Sequence, residues 1–515
     1  MPPAARGAHV AHRLARPRPA RREPAAGGPR VSATTPREDA EVGGRPLPPG
    51  WAAPAHQPGA DSLADTTFEE RARENLARPF QRTAIANATD HTVFALQRRF
   101  AGTAHDALRD EARRIRAHAI TNLPTYLEQW VDRAEARGTQ VHFAADEAEA
   151  RRIVAGLCAE RGVGRVVKSK SMASEEVSLN SALEGAGIDV VETDLGEFVV
   201  QAMGDRPSHV IAPILHRTQG EVHELFSAMA GEDLPDDPEA LTGFAREGLR
   251  HAFLTADAGI SGGNFLIAET GEVAMVTNEG NGRLTTSLPR IHIALVGIEK
   301  MLPRRTDLAV LLPLLTGHGT GQQITTYVSV LGGPRGAGEP DGPEEMHVVL
   351  LDGGRSALLG GEFEEALHCI RCGACQNVCP VYRQVGGHAY GWVYGGPIGA
   401  VLTPLFRGQA DGGELSHATT LCGACDDICP VRIPLHDLLL GLRRRRVAED
   451  VAPLSERLAF RAWGLAWRHP ATYRASTAVA RAGLAVLARD GVVSRRVPGL
   501  ARWTATRDLV LGRRR

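Results

Sequence analysis

Residues 369–380 read Cys369-Ile-Arg-Cys372-Gly-Ala-Cys375-Gln-Asn-Val-Cys379-Pro380, a C-x2-C-x2-C-x3-C-P run. Three thiolates at this spacing wrap three corners of a [4Fe–4S] cube, and the fourth is carried away to a neighbouring cluster. The small Gly373–Ala374 pair lets the backbone come close to inorganic sulfide, where N–H groups tune the potential. Zinc fits poorly, because its knuckles pair two C-x2-C units instead of running four cysteines into a proline.

Residues 419–430 repeat the template as Thr419-Thr-Leu-Cys422-Gly-Ala-Cys425-Asp-Asp-Ile-Cys429-Pro430, with Thr419 where the first cysteine would stand. Crossed ligation then assigns Cys369, Cys372, Cys375 and Cys429 to a first cluster. Cys379, Cys422 and Cys425 are left for a second cluster that is one thiolate short. That cluster is either a [4Fe–4S] centre with a non-cysteine ligand or a [3Fe–4S] centre. The eighth cysteine, Cys158, lies far off and reads as a small buried hydrophobe. Clustered cysteines in a long chain without a secretory signal speak against a disulfide framework and for a reducing, cytoplasmic compartment. After Cys429, Leu435, Leu438, Leu439 and Leu442 recur at helical spacing. Ile433-Pro434 opens this helix, and four arginines crowd its end, as the helix dipole favours. The expectation is an α-helical, ferredoxin-type two-cluster domain.

The whole chain has 515 residues, 43% hydrophobic and 23% charged. These proportions suit a globular protein of about three domains. No apolar run reaches the roughly 18–20 residues of a membrane span, so an integral membrane protein is not expected. The net charge of −1 is unevenly spread. Residues 1–60 hold 9 Arg against 4 acids, and residues 443–515 hold 17 Arg against 5, so the body between them is strongly acidic. The basic tail reads either as a solvated counterweight or as a docking surface for an acidic partner or a membrane face. Residues 1–60 also carry 12 of the 32 prolines and no periodicity, and are expected to be disordered. Residues 447–515 read as a helical extension over Pro453–Trp467, Ala471–Ala488 and Ala501–Leu511. In it Trp463, Trp467 and Trp503 sit among arginines, as a cap on a neighbouring surface or at a membrane interface.

Between these ends the pattern changes once. Phe68–Leu76, Thr92–Phe100, Asp106–Ile120 and Leu123–Arg137 carry apolar residues at helical spacing. From Val141 short strands alternate with helices: strand Val141–Ala144, helix Asp146–Arg161, strand Arg165–Val167, helix Ser174–Ala186, strand Asp189–Glu192. This is the grammar of a parallel α/β sheet. Phe265–Ala268, Val273–Val276, His292–Val296 and His347–Leu351 add strands, and Ala309–Leu315 reads as helix.

Ligands of such sheets gather beyond the carboxyl ends of the strands. Four polar clusters are candidates. Lys168 to Glu176 offers Lys168 and Lys170 before a helix, as an anion site or a plain helix cap. Asp194-Leu-Gly-Glu197 reads otherwise as a surface turn. Gly259 to Asn264, Glu269-Thr-Gly271 and Thr277 to Asn281 supply Glu269, Asn278 and Glu279, with Glu269–Glu272 also reading as a hairpin turn. Gly317-His318-Gly319 offers an acid/base or a structural histidine. The candidate substrate residues are therefore Lys168, Lys170, Glu269, Asn278 and Glu279. No Walker A loop, nucleophile elbow, zincin motif, complete dinucleotide fingerprint or flavin motif is present. Two-electron oxidation of a hydroxy acid would need a cofactor or partner beyond these one-electron clusters.

Taken together, the Lys168-Ser-Lys-Ser-Met-Ala-Ser-Glu-Glu176 stretch, Glu192-Thr-Asp-Leu-Gly-Glu197, Gly262-Gly-Asn-Phe265, Glu269-Thr-Gly271, Thr277-Asn-Glu-Gly-Asn281, both cysteine runs, Gly386-Gly-His-Ala-Tyr390 and Gly395-Gly-Pro-Ile-Gly-Ala-Val-Leu-Thr403 resemble the lactate utilization protein B family. The resemblance spans roughly residues 64–515. It implies an α/β lactate-utilization (LUD) domain over 61–352, with a helical N-terminal part and a parallel sheet like that of sugar-phosphate isomerases and coenzyme A transferases. It implies a ferredoxin-type domain over 353–446 and a basic helical extension over 447–515. Thr419 agrees with a family that also shows seven cluster cysteines. The implied activity is electron transfer within a complex oxidising L-lactate to pyruvate. The implied partners are a protein with cysteine-rich CCG modules and a ferredoxin-free LUD protein; no nucleic-acid partner is expected. Two other classes remain open at this stage, a redox-sensing anion-binding regulator and an isomerase- or transferase-like enzyme with structural clusters.

Overall fold

Alternation of strand and helix from Gln140 onward builds the centre of the molecule in the computed structural model, which describes residues 66–452, 454–488, 491–493 and 508–511. The stretch 1–60, Pro453, Trp503 and most of the helix expected over Ala501–Leu511 lie outside those residues; the described end of that expected helix is instead a short strand, Leu509–Val510, antiparallel to Val492–Val493. Ten strands belong to this centre: β1 (Gln140–Ala144), β2 (Arg165–Lys168), β3 (Asp189–Glu192), β4 (Ala258–Ser261), β5 (Phe265–Ile267), β6 (Glu272–Thr277), β7 (Ile291–Gly297), β8 (Met301–Leu302), β9 (Tyr327–Leu331) and β10 (Glu345–Leu351). Six form a sheet in the order β1-β10-β7-β4-β2-β3. Every neighbouring pair in it is parallel, for example Leu295 against Val349 and Val167 against Val191. All seven residues of β7, Ile-His-Ile-Ala-Leu-Val-Gly, are buried, as a central parallel strand covered on both faces requires.

The other four strands form a second, mixed sheet in the order β8-β5-β6-β9. The hairpin expected at Glu269–Glu272 joins antiparallel β5 and β6. Gly271 sits there at φ 72°, and a Cβ would come within 2.3 Å of the Ala134 amide nitrogen, so only glycine fits.

Several sequence expectations need correction. The single helix over Ser174–Ala186 is two short helices, Met172–Glu176 and Leu179–Gly185, divided at Ser178 in a left-handed conformation. Ser171 caps the first of them. Asp194-Leu-Gly-Glu197 is the start of a helix, Leu195–Ala202, whose first amides donate to Asp194 Oδ1. Gly259 to Ser261, read as a glycine turn, is the interior strand β4; a Cβ at Gly259 would stand 1.8 Å from the Thr285 carbonyl oxygen. The helices Gln219–Ala230, Pro238–Thr255 and Gly396–Phe406 and the strand β9 were not anticipated.

The α/β part, the preceding helices and the cysteine-bearing part belong to one compact unit ending at Arg444. One core cluster runs from Ile85 and Trp130 through Phe265 and Leu350 to Tyr390 and Leu439. The second unit, from Arg445, contains helices Leu454–Trp467 and Pro470–Leu487, neither with a buried residue. Trp467 packs there against Trp463 in a tilted pair and against Tyr473 edge to face, with ring centroids 5.1 Å apart in both. Among the described residues no helix is long and apolar enough to cross a membrane.

Candidate functional site

Helix His105–Thr121 positions the cysteine loops. Arg109, Arg113 and Arg116, at helical spacing, project from one side of it. Arg109 donates to the carbonyls of Asp427 (2.6 Å) and Cys429 (2.9 and 3.1 Å). Arg113 donates to that of Arg432 (3.0 Å). Arg116, fully buried, donates to the carbonyls of Glu299, Met301, Leu367 and His368. One helix thus holds the approach to Cys369 and the turn after Cys429. Nothing local in the sequence marks this; the only trace is three arginines recurring on an otherwise amphipathic helix.

Both loops use backbone that L-residues rarely adopt. Arg371 and Gly373 have φ 61° and 76°, and Leu421 and Gly423 have φ 53° and 79°. Such conformations cost about 1–3 kcal/mol at a non-glycine residue and gather at functional sites. Short helices follow, Ala374–Val378 and Ala424–Ile428. Cys369, Cys372, Cys375 and Cys429 line one small cavity together. Burial and the neighbouring Cys369 charge are among the causes that raise Cys429 to about 11. Burial first also pushes Cys372 and Cys375 up, with Cys429 and Cys369 adding to it at Cys372 and Cys372 and Cys369 at Cys375. Cys379, Cys422 and Cys425 are not in that cavity. Cys379 and Cys425 are raised chiefly by burial, with Cys422 acting on Cys379 and Cys379 on Cys425. Cys422 is exposed, and lowered. Backbone amides approach sulfur at Arg371 N to Cys369 Sγ (3.4 Å), Tyr382 N to Cys379 Sγ (3.5 Å) and Ile433 N to Cys429 Sγ (3.3 Å). Crowded buried thiols with amides aimed at sulfur suit a metal–sulfide core, which supplies the positive charge that thiolates otherwise lack. Cys158 lies apart, in the core beneath the sheet, pushed up to about 11 by burial.

A cavity of about 320 Å³ opens beyond the carboxyl ends of β2, β4 and β7. Of the residues singled out from sequence, Lys170, Asn278 and Glu279 line it, whereas Lys168 and Glu269 do not. Lys168 is fully buried behind the wall, held by Glu192 (2.7 Å), Glu175 (2.9 Å) and Ser174 (3.0 Å). Glu269 is exposed in the β5–β6 turn and accepts from the Arg305 amide. Lys170 pairs with buried Glu197 at 3.2 Å, and burial lifts that carboxyl to about 8 despite the lysine. His318 is structural: its Nδ1 lies 2.9 Å from the Leu314 carbonyl, and burial takes it down to about 3.

The floor of this cavity was not foreseen. It is a buried charge network around Glu299. Arg355 Nε lies 2.5 Å from Glu299, Arg371 Nη2 3.2 Å and Lys300 Nζ 4.0 Å. Arg355 also forks onto Glu176 at 2.7 and 2.9 Å, and the Tyr394 hydroxyl donates to Glu176. Burial works to raise Glu299, but Arg355, Lys300 and Arg371 outweigh it and bring it down to about 2. Lys300 is lowered to about 7, by burial first and then by Arg371. The Arg371 guanidinium lies 4.7 Å from the Tyr394 ring centroid, and among the described residues its Nε and Nη1 have no hydrogen-bond partner. Arg371 is only 8% exposed. Unpaired buried N–H groups on a cation are costly unless an anion meets them. Arg371 and Tyr394 line both the 320 Å³ cavity and the four-thiol cavity.

Asp205, His216 and His388 also bring ligand atoms within 4.8 Å of one another. Arg217 donates twice to Asp205, and both His216 nitrogens are engaged, by Asp205 and Ser208. That group is a hydrogen-bonded strap between residues 205–217 and the 386–390 turn.

Three family models match successive parts of the chain. Residues 127–351 match the LUD domain family, residues 365–433 the 4Fe-4S dicluster domain family, and residues 445–511 the family described as lactate utilisation protein B, C-terminal. The protein named lactate utilization protein B of Shouchella clausii (strain KSM-K16) is 43% identical over 457 residues, covering 87% of this chain and 95% of its own. Its namesake in Geobacillus thermodenitrificans (strain NG80-2) is 44% identical over 443 residues, covering 85% and 93%. A crystal structure of a duf162 family protein from Deinococcus radiodurans aligns with 44% of this chain and 98% of its own at 15% identity, with a TM-score of 0.25.

Proposed function

Because the chain belongs to the lactate utilization protein B family, we propose that it is the iron–sulfur electron-transfer subunit of a complex oxidising L-lactate to pyruvate. In this reading Cys369, Cys372, Cys375 and Cys429 hold the first cluster and Cys379, Cys422 and Cys425 hold the second. One-electron transfer is the chemistry the clusters supply when bound.

The rest falls to this chain's own residues. The carboxylate of the hydroxy acid binds in the cavity lined by Arg371 and Lys170. Lys300, lowered to about 7 by burial and Arg371, can take up or release a proton at Nζ near neutral pH. Glu299 and Tyr394 hold the guanidinium in the wall of the cavity. The observation that carries the reading is the shared wall: Arg371 and Tyr394 separate the 320 Å³ cavity from the four thiols. A substrate held there lies one side chain from the first cluster. The second loop, with Cys422 exposed, is the side from which electrons leave toward a partner. A CCG-module protein and a ferredoxin-free LUD protein are the partners this reading calls for, in the cytoplasm.

The test is electron paramagnetic resonance on the anaerobically purified complex before and after L-lactate. Reduced-cluster signals that appear with lactate support the relay. Signals with dithionite but none with lactate would leave a competent carrier with a different donor, and the proposal would fall.

A further inference from the structure

The two cysteine loops share a backbone frame. Gln376 N donates to the Gly373 carbonyl at 2.9 Å, and Asp426 N to that of Gly423 at 2.9 Å. Cys379 N donates to the Gln376 carbonyl at 3.2 Å, and Cys429 N to that of Asp426 at 3.2 Å. Positive φ recurs at Arg371 and Leu421 and again at Gly373 and Gly423. Within this frame Arg371 N donates to Cys369 Sγ at 3.4 Å, and Leu421 N donates to Thr419 Oγ1 at 3.0 Å. The Thr419 hydroxyl therefore stands where the first loop puts a cluster thiol, held by the same two-residue turn.

We propose that Thr419 is the fourth protein donor of the second cluster, placing an alcohol oxygen at the corner where the first cluster has the Cys369 sulfur. The crossing of ligands supports the placement. Cys429 leaves its own loop to join Cys369, Cys372 and Cys375 around one cavity, so Cys379 is the partner left for Cys422 and Cys425. Those three thiols occupy three corners, and the loop geometry points the remaining corner at residue 419. Asp426 is the obvious rival, since its Oδ1 accepts from the Cys425 thiol at 3.3 Å, but two observations set it behind Thr419. Its counterpart Gln376 turns away and donates to the Gly395 carbonyl at 2.9 Å. Asp426 itself is occupied by the amide and ring of His436.

Two consequences follow from the donor's chemistry. A neutral alcohol oxygen is a harder and weaker ligand than thiolate for iron in a sulfide core. The iron at that corner is the one most readily lost. It also lies near the surface, since Thr419 is half-buried and Cys422 beside it is exposed. The second cluster is thus differentiated at one corner, whereas the first is ringed by four thiolates. The inference rests on the presence of two clusters and not on lactate.

The experiment uses the full chain, purified anaerobically with its clusters, and stoichiometric ferricyanide. Removal of one electron and one Fe²⁺ from a [4Fe–4S]²⁺ centre leaves [3Fe–4S]⁺, which has its own paramagnetic signal. In the wild type one cluster of the two should convert, the other serving as internal control. Thr419→Cys should slow conversion by about tenfold or more, and Thr419→Ala should speed it, in line with the usual effect of ligand-shell changes on metal affinity. Thr420→Ser, which keeps the hydroxyl that bonds Cys422 and whose counterpart Ile370 is no ligand, should match the wild type. If both wild-type clusters resist equally, or if Thr419→Ala loses iron at the wild-type rate, the proposal is overturned. Iron content and the dithionite-reduced signal of the first cluster show in each sample whether the variant has folded and loaded.

Discussion

The loops at 369–379 and 419–429 have one backbone and two surroundings. The first lies wholly inside: Arg116 grips the carbonyls of Leu367 and His368, and Asn377 lies 3.3 Å from the His209 ring. The second is held from one side by Arg109 and leaves Cys422 exposed. Arg371 and Leu421 occupy the same left-handed position. One is a buried cation facing a cavity; the other is a half-buried leucine. The local fold of such a loop is set by its glycine and its turn, whereas its task is set by what tertiary structure brings to it. In the proposed relay the first loop receives electrons and the second releases them.

The comparison can be broken most decisively at the thiols. Cys372→Ser and Cys425→Ser should each abolish lactate-dependent electron flow, because loops acting in series both have to conduct. Flow surviving in either variant, measured with an artificial acceptor, would mean that the loops are not in series. Next in size is the clamp that buries only the first loop. Arg116→Met leaves four buried carbonyls without their donor and should cost about 3–5 kcal/mol, the range for breaking a buried charged contact. Urea unfolding would show this as a lowered midpoint, and an unchanged midpoint would remove the clamp from the account.

Glu299→Gln, beneath Arg371, should cost a comparable amount at neutral pH and should also flatten the acid limb. The carboxyl is depressed from 4.5 to about 2 in the fold. Its stabilisation is therefore full above about pH 4.5 and drains away as pH falls toward 2. A stability–pH profile that keeps its wild-type slope in the variant would show that the three cations do not hold this group down. Arg371→Asn tests the cavity with the backbone spared, since asparagine tolerates positive φ. Lactate binding should weaken about tenfold or more, as expected for a charged hydrogen bond, while dithionite still reduces both clusters. Calorimetric titration reads the first and paramagnetic resonance the second. The smallest effect belongs to the counterpart position. Leu421→Arg should change stability by about 1 kcal/mol or less and leave lactate affinity untouched; a large loss of affinity would place a substrate contact at the second loop.

Much of this was legible in the sequence. Cysteine spacing pointed to two interleaved thiol sets, and apolar runs located five of the six strands of the parallel sheet. The failures share a cause. β4 was hidden because Gly259 answers to a carbonyl at Thr285, not to a turn. Lys168 and Lys170 look equivalent in sequence, yet one ends a strand and points into buried carboxylates while the other, in the loop beyond, meets the cavity. Arg371 sat inside the recognised motif as an arbitrary spacer. Lys300 was one of only three lysines, a rarity visible from the start, but its meaning depends on Glu299 and Arg371 converging on it. Contacts between distant segments leave no periodic mark.

The arginine clamp also orders events in time. Arg109 precedes the carbonyl it holds at Cys429 by 320 residues. At about 5–20 residues per second of synthesis, roughly 16–64 s separate the two at the ribosome. The clamp helix is made long before its carbonyl partners, and Cys429, which shares a cavity with the three thiols of the first loop, comes from the far end of the second loop. A growing chain therefore cannot bring its four-thiol cavity together until both loops have been made, so in the proposed ligation that set waits for residue 429.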